Sequence, residues 1–415
     1  MKGYKQTELG EIPEDWHFKK FEDVMKGFSS GQTPSRSRKK YFTGKIPWIT
    51  SGELNYNVIT DTIEKITEEA AIKTHLKIIP AGTFLMAITG LEAEGTRGSC
   101  GITGVDATTN QSCMALYPTA ELTTEYLFQF YVKYGNWLAF KYCQGTKQQS
   151  YTGKIAKTLP IILPPTVKEQ NAITTALKET DEFIFSLEKL IEKKKNIKQG
   201  TMQILLTGKR RLKGFKGEWE AKKLGDIIEN IADGGTPPTA NPNYFGGDIN
   251  WIVIDDIKDK IFSTKQTLTE AGLNHSSSKL WKPQTIILST GATIGEVGIT
   301  MVPTATKQGI CGIVVNHKAS NLFLKYWLQI KKSTLLSKAQ GSTIKEVRPP
   351  TILKLEIYLP SLSEQESICS ILSDMDGEIE IMQQQLSKYN LAKQGMMQNL
   401  LTGKVRLVNL SGNSG

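Results

Sequence analysis

The chain has 415 residues, 39% of them apolar, five scattered cysteines and a formal net charge of +10. That length predicts two or three domains. The longest apolar runs, 161–165 and 285–288, are far too short to cross a bilayer. The cysteines (Cys100, Cys113, Cys143, Cys311, Cys369) are odd in number and lack CxxC spacing, which excludes a zinc ribbon or a disulfide framework.

In chain order, residues 1–160 read as a strand-rich block. Its opening, MKGYKQTELGEIPEDW, has no apolar core, so no secretory signal is expected and a cytoplasmic location is. Short β-branched runs at 46–50 and 83–89 read as strands, and 123–142 as a helix with Tyr126, Leu127, Phe130, Tyr131 and Tyr134 on one side. Residues 161–212 carry a long helix opened by Pro165 and closed by the Thr207-Gly208 pair, with no proline between. A second block, 213–358, has strands at 249–254, 285–289 and 310–315 and a helix at 322–338. Residues 359–415 repeat the long helix, opened by Ser361, and add a tail.

The two long helices align at a constant offset of 195: Glu169-Gln170 falls on Glu364-Gln365, Lys198-Gln199-Gly200 on Lys393-Gln394-Gly395, and the LTGK at 206–209 on that at 401–404. Ile173, Leu177, Ile184, Leu187, Ile191 and Leu205 mark a heptad seam in the first. Ile368, Leu372, Ile379, Leu386 and Leu400 mark it in the second, in the same register. One such seam cannot be buried alone, so the two helices are expected to pack against each other as a coiled coil. The blocks match more weakly, at an offset of 203: Trp16 falls on Trp219, Gly31 on Gly234, Thr33-Pro34 on Thr236-Pro237, Tyr41-Phe42 on Tyr244-Phe245 and Trp48 on Trp251. The expected fold is α+β: two strand-rich domains separated by two long helices. A period near 200 residues is a duplicated domain, not a solenoid.

Catalytic constellations are not found in the sequence. Asn241-Pro242-Asn243-Tyr244 resembles a methyltransferase tetrad, but its counterpart is Arg38-Lys39-Lys40-Tyr41 and no glycine-rich strand–loop–helix precedes it. The TGK triplets end helices, so they are not Walker loops. The four histidines are isolated, so no metal site and no cofactor are expected.

Polar and basic loops at matching places in both blocks remain. The first offers Thr33, Ser35, Arg36, Arg38, Lys39 and Lys40, matched by Thr236, Asn241 and Asn243. The second offers Arg97, matched by Thr290 and Thr293. The third offers Thr146, Lys147 and Gln148, matched by Ser342, Thr343 and Lys345. Cations of this kind neutralise phosphates, and Asn, Gln, Ser, Thr and Arg hydrogen-bond base edges in the major groove. The second block's first loop has no Lys or Arg, which shifts its phosphate contacts to Lys258, Lys260, Lys279 or Lys307. Helices that stay alike while loops diverge point to one shared packing task and two different ligands of one class.

The doubled LPP/LPS…EQ…KQG…LLTGKxRL segment, the GEIPEDW opening and the TPS…YFTGKIPW and TPP…YFGGDINW runs resemble the specificity subunit of type I restriction–modification enzymes, over essentially the whole chain. The resemblance implies two target-recognition domains, each reading half of a split double-stranded DNA sequence. It implies that the helices pack antiparallel, set the spacing and dock two methyltransferase (M) subunits, joined by restriction/translocase (R) subunits, in the cytoplasm of a prokaryote. The chain itself would be non-catalytic, with adenine methylation and ATP-dependent cleavage carried by those partners. A coiled-coil scaffold for protein partners, or the specificity chain of a fused system that both methylates and cuts, are the alternatives.

Overall fold

Repeated turn and apolar signals give the two blocks one strand pattern. The computed structural model describes residues 3–145, 149–341 and 345–407. Its contacts divide the chain into two compact units, Met1–Leu187 with Gln385–Gly415, and Glu188–Gln384. The division runs through the long helices, so each unit holds one strand-rich block and half of each helix.

In the first unit a five-stranded sheet runs in the order Met25–Ser30, Cys113–Pro118, Phe84–Ala87, Cys100–Thr103, Asn57–Ile59. The first three pairings are antiparallel and the last is parallel. The second unit repeats order and sense with Ile228–Asp233, Ile310–Val315, Ile286–Ser289, Val297–Thr300 and Lys260–Ile261. The central strands are buried throughout, and apolar but for Ser289, because both faces are covered. A smaller sheet flanks each. Thr108–Thr109 pairs parallel with Ile46–Ile49, and Thr304–Thr306 pairs parallel with Phe245–Ile252.

The helix Thr124–Tyr142 starts at Thr123, whose hydroxyl caps the amide of Tyr126, and buries Tyr126, Leu127, Phe130 and Tyr131 on the sheet. In the second unit the expected single helix is two, Asn321–Ile330 and Lys332–Ser337, broken at Lys331. No glycine or proline marks the break.

The long helices span Val167–Leu205 and Leu362–Leu400, 39 residues each, or about 58 Å at 1.5 Å per residue. Ser361 caps the second; in the first the cap is Thr166, its counterpart at offset 195, and not Pro165. Every expected seam residue except Leu386, which is half-buried, is 8% exposed or less. In the first unit Thr180 meets Met396, Asp181 pairs with Lys393, and Phe183 packs edge-on to Tyr389 with ring centroids 4.5 Å apart. In the second, Lys194 pairs with Glu378 at 2.6 Å and Lys198 with Asp376. Numbers rise on one helix as they fall on the other, so within each unit the two run antiparallel. The lower ends of the seam join the domain cores: Ile173, Leu177 and Leu400 in one, Leu205, Ile368 and Leu372 in the other. Full burial of each such side chain stabilises by roughly 1.5–3 kcal/mol.

Candidate nucleic-acid interface

The first loop of each unit is rooted by the residues the two blocks share. Gly31 lies so close to Thr109 that a Cβ would sit 1.7 Å from its carbonyl oxygen; Gly234 stands likewise 2.1 Å from that of Thr306. Only glycine fits either place. The amide of Gln32 donates to the Thr109 carbonyl at 3.1 Å, and the buried Trp48 indole donates to the Gln32 carbonyl at 3.1 Å. In the second unit the Gly235 amide donates to Thr306 at 2.9 Å, and the Trp251 indole to Gly235 at 3.2 Å.

On that frame the first unit's cations are engaged inside the chain. Arg36 forks Glu64 at 2.5 and 2.8 Å and lies over the rings of Phe42 and Trp48. The hydrogen bond to Arg36 holds the Glu64 carboxyl below the usual range. Arg38 donates to the Tyr41 hydroxyl at 2.7 Å and Lys40 pairs with Glu69 at 3.1 Å, while Lys39 is exposed. The Thr33 hydroxyl donates to Gln111 at 2.5 Å, and Ser35 bonds Ser37 at 2.8 Å. In the second unit Thr236 is half-buried, Asn241 caps the amide of Asn243 at 3.2 Å, and Asn243 is exposed. Lys258, Lys260 and Lys279 are exposed, and no ion pair involves them among the described residues; the Lys307 amine lies 5.7 Å from the Trp251 ring centroid.

The second and third loops of each unit meet. Leu91 donates to the Gln149 carbonyl at 3.1 Å, and the Gln149 amide to Glu92 at 2.8 Å. Arg97 turns inward, donating to the carbonyls of Leu91 and Glu92 at 2.8 and 3.1 Å, so it stiffens its own loop. In the second unit Val347 donates to the Thr290 carbonyl at 2.9 Å. Thr290 is 1% exposed and accepts from the Cys311 thiol, so it lies in the wall beneath the loops; Thr293 and Lys345 are on the surface. Thr146, Lys147, Gln148, Ser342 and Thr343 lie outside the described residues.

Three contributors escape pattern reading. Asp233 accepts the amides of Gly234 and Gly309 at 3.0 and 3.1 Å, and burial pushes its carboxyl above the usual range. It stands where the first block has Ser30, an acid inside a polar loop, which was the available signal. Gln170 and Gln365 hold the cap residues of the domain helices: their side-chain oxygens accept the amides of Thr123 and Ser320, both at 2.9 Å. Among the described residues no group of three or more His, Cys, Asp or Glu could hold a metal ion, and no helix is long and apolar enough to cross a membrane.

The profile of the type I restriction modification DNA specificity domain matches residues 13–199 and 216–389. The chain belongs to this family. It is the non-catalytic specificity subunit of a type I restriction–modification complex. The putative type I restriction enzyme MjaX specificity subunit of Methanocaldococcus jannaschii is 27% identical over 423 residues, covering 97% of each chain. The MjaIX specificity subunit of the same organism is 25% identical, covering 98% of this chain and 97% of that one. Among solved structures, one described as the basis of complex assembly and conformational transition of the type I R-M system covers 95% of this chain and 99% of its own, with TM-score 0.63 at 15% identity. The system's S subunit from M. genitalium covers 93% and 96%, with TM-score 0.58 at 15% identity. Both share this specificity subunit's fold.

Proposed function

We propose that the chain reads a bipartite double-stranded DNA sequence, one half with each strand-rich domain, and presents it to methyltransferase and restriction subunits. One observation carries this reading. The same sheet and the same glycine–tryptophan loop root occur in both units, yet the loops on them carry different side chains. A shared frame with different polar loops suits two ligands of one chemical class, and the surplus of Lys and Arg makes that class a polyanion. Sequence would be read by loop side chains such as Thr33, Ser35, Lys39, Asn243, Thr293 and Lys345. The domains are taken as 1–160 and 213–358, with 161–212 and 359–415 as the conserved rods.

Each rod is one uninterrupted helix that starts in one unit and ends in the other, which suits it to set the spacing between half-sites. The rods also leave Leu190, Ile197, Ile204, Ile381 and Leu391 between 42% and 65% exposed. Apolar surface of this kind favours docking of two M subunits, with R subunits completing the complex. The test is domain exchange: replacing residues 1–160 by the corresponding part of another specificity subunit and mapping methylated adenines. One altered half of the target is expected, and alteration of both halves would refute the division of labour.

A further inference from the structure

The two units differ at one place where their frames are otherwise the same. In the second unit Trp281 pairs with Thr304 in the smaller sheet, and its indole donates to the buried Thr306 hydroxyl at 3.2 Å. In the first unit Ile79, bridged to Ala107, stands at the place of Trp281, and Thr109 at that of Thr306. The isoleucine does not reach. A cavity of about 220 Å3 remains, and Ile79, Gly31 and Thr109 line it. The Thr109 hydroxyl is fully buried and has no hydrogen-bond partner. A buried hydroxyl left so costs about 1–3 kcal/mol, which a polar ligand atom would recover.

The mouth of this cavity is cationic and rich in donors. His75 and Lys77 are exposed beside it, with Ser29 and Ser30 from the edge strand. His75 holds φ of 52°, a left-handed conformation that sets its side chain apart from the preceding helix Glu68–Lys73. Neither His75 nor Lys77 makes an ion pair among the described residues, unlike Arg36 and Lys40 on the neighbouring loop. No Phe, Tyr or Trp lines the cavity, so a base would have no ring to stack on. Two cationic or donor side chains over hydroxyls suit a tetrahedral oxyanion.

We propose that this cavity, bounded by Ser30, Gly31, His75, Lys77 and Thr109, seats a backbone phosphate of the DNA lying on the first domain, and that Trp281 closes the equivalent seat in the second. The inference rests on the DNA-reading function above and adds to it a fixed anchor that one domain has and the other lacks. The anchor positions the duplex and carries no base information, because phosphate contacts set register and leave sequence to the loops.

The experiment measures duplex affinity of the full chain, assembled with its methyltransferase subunits, at several salt concentrations. Lys77→Ala should weaken binding about 3- to 10-fold and reduce the slope of log K against log salt by about 1. Thr109→Val should weaken binding about 2- to 10-fold with the slope unchanged, since a hydroxyl bears no charge. Thr109→Ser should restore affinity, which separates the contact from a folding defect. Ile79→Trp should plug the seat and reproduce the Lys77→Ala loss with Lys77 and His75 both retained. Wild-type affinity and slope in Lys77→Ala and Thr109→Val would overturn the proposal. So would a relaxed base pair in the methylated sequence of either variant, which means base reading. Saturable stabilisation by inorganic phosphate, with DNA binding untouched by the variants, would assign the seat to a free phosphate and also overturn it. Failure of the DNA-reading function itself shows separately, as a wild-type complex that does not bind duplex.

Discussion

Arg406, which follows the second rod, forks both carboxylate oxygens of Glu169 at the start of the first, a residue with no exposed surface. The same pair recurs between Arg211, after the first rod, and Glu364, at the start of the second, with both bonds 2.6 Å. Arg406 also reaches Asp15 at 3.1 and 3.2 Å. Each copy of the repeat therefore supplies the glutamate for the other copy's arginine. This accounts for the EQ and LTGKxR signatures staying alike while the domains diverge.

Arg406→Ala leaves the Glu169 carboxylate buried without its partner. Loss of one member of a buried pair costs about 3–5 kcal/mol. Urea denaturation should show a loss of this size for Arg406→Ala, and a smaller loss for the more exposed Arg211→Ala. A double variant, Arg406→Leu with Glu169→Leu, should recover most of it, because the pair's desolvation cost goes with its attraction.

Gln170 joins a rod to a domain through two bonds, from the Thr123 amide at 2.9 Å and to the Glu121 carbonyl at 2.7 Å. Gln170→Ala leaves unpaired the amide of Thr123, the residue whose hydroxyl caps the helix Thr124–Tyr142. The expected loss is about 1–3 kcal/mol, with amide exchange in that helix's first turn rising before the sheet is affected. Equal protection of that turn in variant and wild type would contradict a role for Gln170 in holding the cap residue.

Burial pushes the Lys133 amine down to about 8, with Lys404 nearby adding to the effect. The amine donates to the carbonyls of Met397 and Gln398 at 3.3 and 3.4 Å. Its folded value lies below the unfolded one of about 10.4, so between these values the unfolded chain binds more protons. Stability therefore rises with pH across that window, and the contribution levels off above it. Relative to Lys133→Met, the wild type should gain stability from about pH 8 upward; a constant difference would count against the shift.

Inserting one or two helical turns after Lys193, in the first rod, should lengthen the non-specific spacer of the methylated sequence while leaving both half-sites unchanged. Methylome mapping reads this directly. An unchanged spacer would remove the rods from the role of ruler.

The seam, its burial of one long helix on the other and the matching frames of the two blocks were legible in the sequence because period and repetition are local signals. Heptad spacing names the buried face whatever it packs against, and a residue kept at the same offset in two copies has the same task in both. Glycine and tryptophan at 31 and 48 were readable as a frame, though not as a hydrogen-bonded loop root.

What a side chain touches depends on residues far away in sequence, and there the pattern fell short. The cationic run at 36–40 reads as free charge, yet Glu64 and Glu69 fold back onto Arg36 and Lys40. Thr290 reads as a loop donor, but the Cys311 strand buries it. The helix expected over 322–338 breaks at Lys331 without a local breaker, while Leu335 is buried and Lys332 reaches Glu296 at 2.5 Å.

The sequence by itself determined that two like domains alternate with two like rods, since duplication and apolar period are written into the order of residues. Only the tertiary structure decided which charges remain available and where Ile79 in place of Trp281 leaves an unfilled hydroxyl. Ion pairing and cavity volume arise between residues distant in the chain, and no local pattern records a distance in space.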